Sequence, residues 1–309
     1  HCRLRRQRQM CIRDRVIAQC KAGIVGSFPC LNAREDEGQP NMLHIWLKKI
    51  SEELDKYNQE NPDNPAAPYA VNHIVHKSNV RLEQDIDICA EWKAPIWITS
   101  LGARPEVNKV AHEAKGIVLH DIINNFFAKK AIEKGADGLV AVAAGAGGHA
   151  GTLSPFALIQ EIREWFNGTL LLSGSIANGG AVLAAQAMGA DLAYIGSAFI
   201  ATNEANADQR YKEMITTSSA DDIIYTNLFT GVHGNYLKGS IEAQGLDPNN
   251  LEVSDSSQMN FSSGASKPKS WKEIWGSGQG ISAVKSILPT SELVKRLNLE
   301  YIEAKNNLI

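Results

Sequence analysis

The stretch from Gly135 to Gly151, GADGLVAVAAGAGGHAG, constrains this chain more than any other. Leu139-Val140-Ala141-Val142 is apolar without polar alternation and runs directly into a cluster of glycines around one histidine. Such a run, bounded by turn residues, fits a strand buried on both faces, as in a parallel sheet covered by helices. The loop after that strand lies at the carboxyl edge of the sheet, where α/β folds place their chemistry. Within Gly145 to Gly151 only His149 exchanges a proton near neutral pH. Glycines let a flat ligand approach the backbone and histidine supplies an acid or base; a histidine merely bonded in a loop is the plainer alternative.

The same rhythm recurs on both sides. Gly23 to Gly26, Tyr69 to Asn72, Ile96 to Thr99, Ile117 to Leu119, Leu170 to Leu172 and Leu192 to Ile195 read as further strands. Leu43, Leu47, Ile50, Leu54 and Tyr57 recur at helical spacing, Ser78 is placed to cap a helix burying Leu82, Ile86 and Cys89, and Ser154-Pro155 opens one burying Phe156, Ile159, Ile162 and Phe166. Gly-Ala-Asp precedes two strands, at Gly135 and Gly189, each glycine suited to end a helix in the left-handed conformation. Seven strand-like runs alternating with helices imply an α/β TIM-type (β/α)8 barrel short of its first strand. After Ile200 no strand rhythm is visible up to Asn260; Ser254 to Lys269 reads as a flexible surface loop, Ile281 to Ile287 as a closing helix and Leu293 to Leu308 as a terminal one.

The expected organisation is a segment 1–15 outside the barrel, an α/β barrel over 16–202, an insertion or lid over 203–270, and a closing segment over 271–309. Arg3, Arg5, Arg6, Arg8, Arg13 and Arg15 crowd the first segment with Asp14 the single acid and no serine, which suits a fusion scar better than a targeting signal. A length of 309 residues, net charge of -3 and 44% hydrophobic content argue against a nucleic-acid partner, and no apolar run reaches membrane-spanning length. Cys2, Cys11, Cys20, Cys30 and Cys89 show neither CxxC nor Cys/His metal spacing, so reduced thiols in a cytoplasm and no metal site are expected.

Three constellations can carry chemistry. The first is the His149 loop; Gly145, Gly147 and Ala150 loosely match a dinucleotide fingerprint, but the next helix opens only at Pro155 and no acid ends the next strand. The second is Ser173-Gly174-Ser175 followed by Gly196-Ser197, small residues where barrels seat a phosphate after their last two strands, although such turns are also ordinary punctuation. The third is His233-Gly234-Asn235-Tyr236 with Ser277 and Gln279, which either close over a ligand or, the plainer reading, belong to a solvated loop.

Together GADGLVAVAAGAGGHAGT, LLSGSIANGG and GADLAYIGSAFIAT resemble the nitronate monooxygenase family, FMN-dependent TIM barrels once called 2-nitropropane dioxygenases. The resemblance runs from about Val16 to the C-terminus. It implies oxidation of alkyl nitronates by a flavin and dioxygen, with His149 deprotonating a neutral nitroalkane or stabilising the bound anion. By the same resemblance Asn72, Gly174, Ser175, Gly196, Ser197 and Gln279 contact FMN; Gly147, Gly148 and Ser173, in the same loops, are expected to join the cofactor site, and His233, Tyr236 and Ser277 of the third constellation are the candidates for facing the substrate. Asp121 stands where some relatives have lysine, Ser175 where many have glycine, and nothing in 1–15 matches the family's opening strand. Two alternatives stay open: an FMN-dependent NAD(P)H reductase of the enoyl-acyl-carrier-protein or quinone type, and a truncated flavin-binding protein without turnover. The oligomeric state has no signature in the sequence.

Overall fold

The computed structural model describes residues 13–33, 41–254 and 273–308. Its framework is a parallel sheet of seven strands: β1 (Gly26–Pro29), β2 (Tyr69–Ile74), β3 (Ile96–Ser100), β4 (Ile117–Ile122), β5 (Gly138–Val142), β7 (Thr169–Ser173) and β8 (Leu192–Tyr194). The short β6 (Gly148–His149) lies between β5 and β7 in the chain and belongs elsewhere. Around the sheet run α1 (13–21), α2 (Met42–Glu60), α3 (Leu82–Glu91), α4 (Pro105–Glu113), α5 (Asn125–Glu133), α6 (Pro155–Arg163) and α7 (Gly179–Ala187). This is a curled, TIM-like α/β fold. Among the described residues β1 and β8 share no ladder, yet Ser27 Oγ and the Tyr194 hydroxyl lie 3.2 Å apart, so side chains link the two outer strands of the curl.

The strand residues divide between two cores, as period-2 alternation requires. Val71, Trp97, Val118, Leu139, Leu170 and Leu172 face the helices in the large outer cluster. Ala70, Ile98, Leu119, Val140 and Leu171 fill the inside of the curl. Leu43, Leu47, Ile50 and Leu54 bury one face of α2 as their spacing predicts, and Trp46 joins them at 0% exposure. Each such side chain contributes about 1.5–3 kcal/mol through burial.

Both Gly-Ala-Asp triplets act alike. Gly135 and Gly189 sit at φ 92° and 110°, and the following Ala136 and Ala190 amides bond back to Ala131 and Ala185 carbonyls, closing Schellman turns. The aspartates then reach across to the neighbouring strand: Val118 N donates to Asp137 Oδ2 at 2.7 Å and Leu170 N to Asp191 Oδ2 at 2.8 Å. One triplet therefore ends a helix and fixes the register of the strand it enters.

Several expectations are corrected. β1 starts at Gly26 rather than Gly23, because Gly23 and Ile24 close the turn that ends α1 through bonds to Cys20 and Gln19 carbonyls. Ser78 caps no helix: α3 opens after Arg81, and Ser78 Oγ is held by His76 Nδ1 at 2.9 Å. Phe156 is 63% exposed and Leu158 takes the buried place on α6. Residues 279–283 form a short 3-10 turn and no helix continues to Ile287, since the backbone becomes extended at Val284, φ -94° and ψ 97°. The terminal helix, here α11 (Thr290–Asn306), packs on α7.

Strands also occur where no rhythm was visible. After α8 (Ser197–Ile200) and α9 (Gln209–Thr217) come β9 (Ile223–Thr226), β10 (Gly234–Leu237) and α10 (Lys238–Glu242). β10 pairs antiparallel with β9 on one side and with β6 on the other, so four-residue strands too short for a periodic signal grip the His149 loop. The expected scar at 1–15 falls outside the described residues up to position 12; residues 13–15 are the start of α1, where Arg15 Nη2 donates to Ser27 O at 3.1 Å. The expected flexible loop at 254–269 lies outside the described residues beyond Ser254. No helix among the described residues is long and apolar enough to cross a membrane.

Candidate active site

The inward-facing residues turn polar at the carboxyl ends of the strands. Asn72 Nδ2 donates to Ser100 Oγ at 2.7 Å, and Ser100 Oγ donates to Asp121 Oδ2 at 2.5 Å, a relay across β2, β3 and β4. Burial raises the Asp121 carboxyl to about 6, the Ser100 bond opposing it. Its other oxygen, Oδ1, is buried without a hydrogen-bond partner. Ser173, at the end of β7, pairs in register with Val142 and Tyr194, and its carbonyl accepts from Ala143 N at 2.9 Å.

The glycine loop after β5 is clamped by two distant segments. Gly145 O accepts from Gln279 N at 2.9 Å and from Ser175 N at 3.3 Å. Gly145 has φ 81°, and a Cβ there would strike the Ser175 hydroxyl and the Gln279 amide, so glycine is required on both counts. Gly147 packs against Ser277, Gly278 and Ser197, and Gly278 N donates to Ser197 Oγ at 2.9 Å. Thus Gly145, Gly147, Ser175, Ser197, Ser277 and Gln279 form one constellation. Gly174 and Ser175 take positive φ of 143° and 56°, turning the chain beneath the glycine loop. Gly148 and Gly196 have no heavy atom within 4 Å of where a Cβ would stand. The N-terminus of α7 is already used within the protein, with Gly179 N donating to Glu300 Oε2 at 2.9 Å and Asn178 capping Ala181 N.

His149 sits in β6 opposite Gly234 of β10. Its Nε2 lies 2.9 Å from Thr230 Oγ1, whose own proton goes to Val232 O at 3.0 Å. The hydroxyl therefore accepts from Nε2–H, which assigns Nδ1 as the basic ring nitrogen. Desolvation by burial lowers the imidazole to about 4, so it is neutral at pH 7.

The third constellation divides. Tyr236 and Ser277 are both fully buried, and Ser277 Oγ has no hydrogen-bond partner. His233 is exposed, stacks on Tyr225 at 5.1 Å, and only its backbone carbonyl reaches the loop, accepting from Ala150 N. The dinucleotide fingerprint lacks its helix, since the glycines run into β6. Asn235 of the same constellation donates from Nδ2 to Ala146 O at 2.6 Å, while Thr230 escaped the sequence reading. Thr230 carried no motif, and the short strand β10 that follows it was the missing signal.

The family model for nitronate monooxygenase matches residues 31–300. A nitronate monooxygenase of Paraburkholderia phytofirmans is 26% identical over 273 residues, covering 82% of this chain and 72% of that one. A probable nitronate monooxygenase of Staphylococcus haemolyticus is 24% identical over 192 residues, 57% of this chain and 52% of that one, so the match spans about half of its length. Among solved structures, the nitroalkane oxidase of Streptomyces ansochromogenes superposes with a TM-score of 0.76 at 19% identity, over 96% of this chain and 94% of that one. FabK from Thermotoga maritima also gives 0.76, at 20% identity over 96% and 90%. With 31–300 inside the family model and the fold shared with these solved structures, this chain belongs to the nitronate monooxygenase family of oxidoreductase enzymes.

Proposed function

We propose that the chain binds FMN at the carboxyl edge of the barrel and oxidises alkyl nitronates with dioxygen, His149 acting at the substrate carbon. The observation that carries this reading is the placing of His149 beside a loop whose glycines meet Ser175, Ser197, Ser277 and Gln279. The residues suit the cofactor. Ser277 Oγ and Asp121 Oδ1 are buried polar atoms without a partner, the condition of groups that bond to a ligand. Gly148 and Gly196 leave open space beside the backbone. On this reading Gly174, Ser175, Gly196 and Ser197 hold the phosphate, Gly147, Gly148 and Gln279 support the flavin from the glycine loop, and Asn72 and Ser173 contact it from the strand ends. When bound, FMN supplies the redox chemistry, accepting electrons from the substrate and passing them to dioxygen.

The state of His149 selects among substrates. A neutral imidazole with a pKa near 4 has little driving force to take a proton from a weak carbon acid. An alkyl nitronate arrives already deprotonated and needs no base; its negative charge beside the ring favours the protonated imidazole, so His149 then stabilises the bound anion. Thr230 fixes the ring, and Tyr236, buried beneath Phe229, shapes the wall of β10 behind it. Oxygen consumption tests this directly: FMN-loaded protein is expected to turn over propyl-2-nitronate with a kcat/KM at least tenfold above that for 2-nitropropane. A preference for the neutral nitroalkane contradicts the assignment of substrate, and NAD(P)H consumption without nitronate turnover supports the reductase alternative.

A further inference from the structure

Outside the barrel, on the face of the sheet away from the glycine loop, three ligand-type side chains meet in the core. Cys30 follows β1 in a short turn, His73 lies on β2 one residue beyond inward-facing Asn72, and Cys89 lies on α3. All are at most 2% exposed. Cys30 Sγ is 3.5 Å from His73 Nδ1 and 4.0 Å from Cys89 Sγ, and all three donor atoms fall within 4.8 Å of one another. Their separations in sequence match no motif, so only the fold shows them as a group.

These distances have a specific meaning. Two Zn–S bonds of about 2.3 Å at the tetrahedral angle hold the sulfurs about 3.8 Å apart, and one Zn–S with one Zn–N bond holds sulfur and nitrogen about 3.6 Å apart. The Cys30–His73 and Cys30–Cys89 edges of the triangle are within a few tenths of an ångström of such a face. A disulfide needs the sulfurs near 2.05 Å, about half their separation here. Two thiolates and a dication are jointly neutral, which is what a site at this depth demands. The His73 ring is also held in place by stacking on Trp97 at 4.8 Å and 20°.

We propose that Cys30, His73 and Cys89 supply three of the four ligands of a buried tetrahedral site for a thiophilic cation, Zn2+, separate from the active site, with a water or other small donor as the fourth. Its mechanical consequence follows from the topology. Among the described residues β1 has a ladder on β2 only, and the site ties the turn after β1 to β2 and to α3. The metal is a staple on the outermost strand of the open curl. The acid whose field reaches both thiols is Asp85, itself 1% exposed and bonded to Arg81 at 2.8 Å, which keeps a charge pair beside the site.

The test is metal stoichiometry and cobalt spectroscopy on the full chain. Protein purified without chelator is expected to hold about one Zn2+ per chain, and Co2+ exchanged into it to give a thiolate-to-metal charge-transfer band. Cys89→Ser and His73→Gln should lose the band while Cys20→Ser keeps it, because the Cys20 thiol faces Pro68 O at 3.5 Å and is not one of the three. If Cys89→Ser fails to fold, removal of the metal from the wild-type chain by a strong chelator, with loss of the band and a lower melting temperature, decides in its place. Less than a tenth of an equivalent of metal, a band that survives Cys89→Ser in a folded chain, or a Cys30–Cys89 disulfide found by mass spectrometry overturns the proposal.

Discussion

His149 and Asp121 are both buried ionisable groups at the carboxyl edge of the same sheet, and burial drives both toward neutrality: the imidazole down to about 4, the carboxyl up to about 6. They are held in opposite ways. Asp121 takes its bond from Ser100 on the adjacent strand, within the period of one β/α repeat. His149 takes its orientation from Thr230, 81 residues away, through a strand pairing that the barrel repeat does not supply. The barrel thus builds the floor of the site from its own repeating strands, while the group proposed to react is positioned by the added segment. Floor and reactive group can be perturbed separately.

The largest expected separation comes from His149→Ala, which should lower kcat/KM for nitronate about 100 to 10,000 fold while bound flavin, measured by absorbance after denaturation, stays within twofold. Loss of flavin together with activity would place His149 in the floor instead. Gly145→Ala is expected to do the reverse of that variant: its Cβ meets Ser175 and Gln279 at a positive φ, so flavin content falls at least tenfold and the melting temperature drops with it.

Stability against pH probes both groups at once. Buried neutral His149 and His120, each near 4 when folded and 6.5 when unfolded, contribute stability that is fully present above pH 6.5 and lost as pH falls toward 4. His120 accounts for up to about 3 kcal/mol and the partly exposed His149 for less. Asp121 acts in the other direction: with its folded value raised, its contribution is present below 3.8 and lost as pH rises through 6. Urea midpoints should therefore fall between pH 7 and 4.5, and fall more steeply in Asp121→Asn; equal slopes in the two chains would mean that Asp121 is not buried. The smallest effect is Thr230→Val, where losing one hydrogen bond worth about 1 kcal/mol should reduce kcat/KM about fivefold without altering flavin content.

Much of the scaffold was legible because it rests on local rules. The stripe of Leu43, Leu47, Ile50 and Leu54, the unalternating run into Gly145, and the Gly-Ala-Asp turns each state their structure within a few residues. The serine and glycine loops after β7 and β8 were legible as candidates for the same reason. Thr230 and the Cys30, His73, Cys89 triangle were not, because each is assembled by contacts between segments far apart in the chain, and four-residue strands such as β9 and β10 carry too little periodicity to announce them. His233 differs in the opposite sense: it stands in the segment the sequence singled out, but it precedes β10 and its ring is exposed, stacked on Tyr225.

The most direct measurement of the central claim is anaerobic mixing of the FMN-loaded chain with propyl-2-nitronate and, separately, with NADH and NADPH, following the flavin absorbance in time. The account predicts that the nitronate alone changes the oxidised flavin spectrum within the time of one turnover and that the nicotinamides leave it unchanged. Reduction by a nicotinamide with no response to nitronate would contradict it.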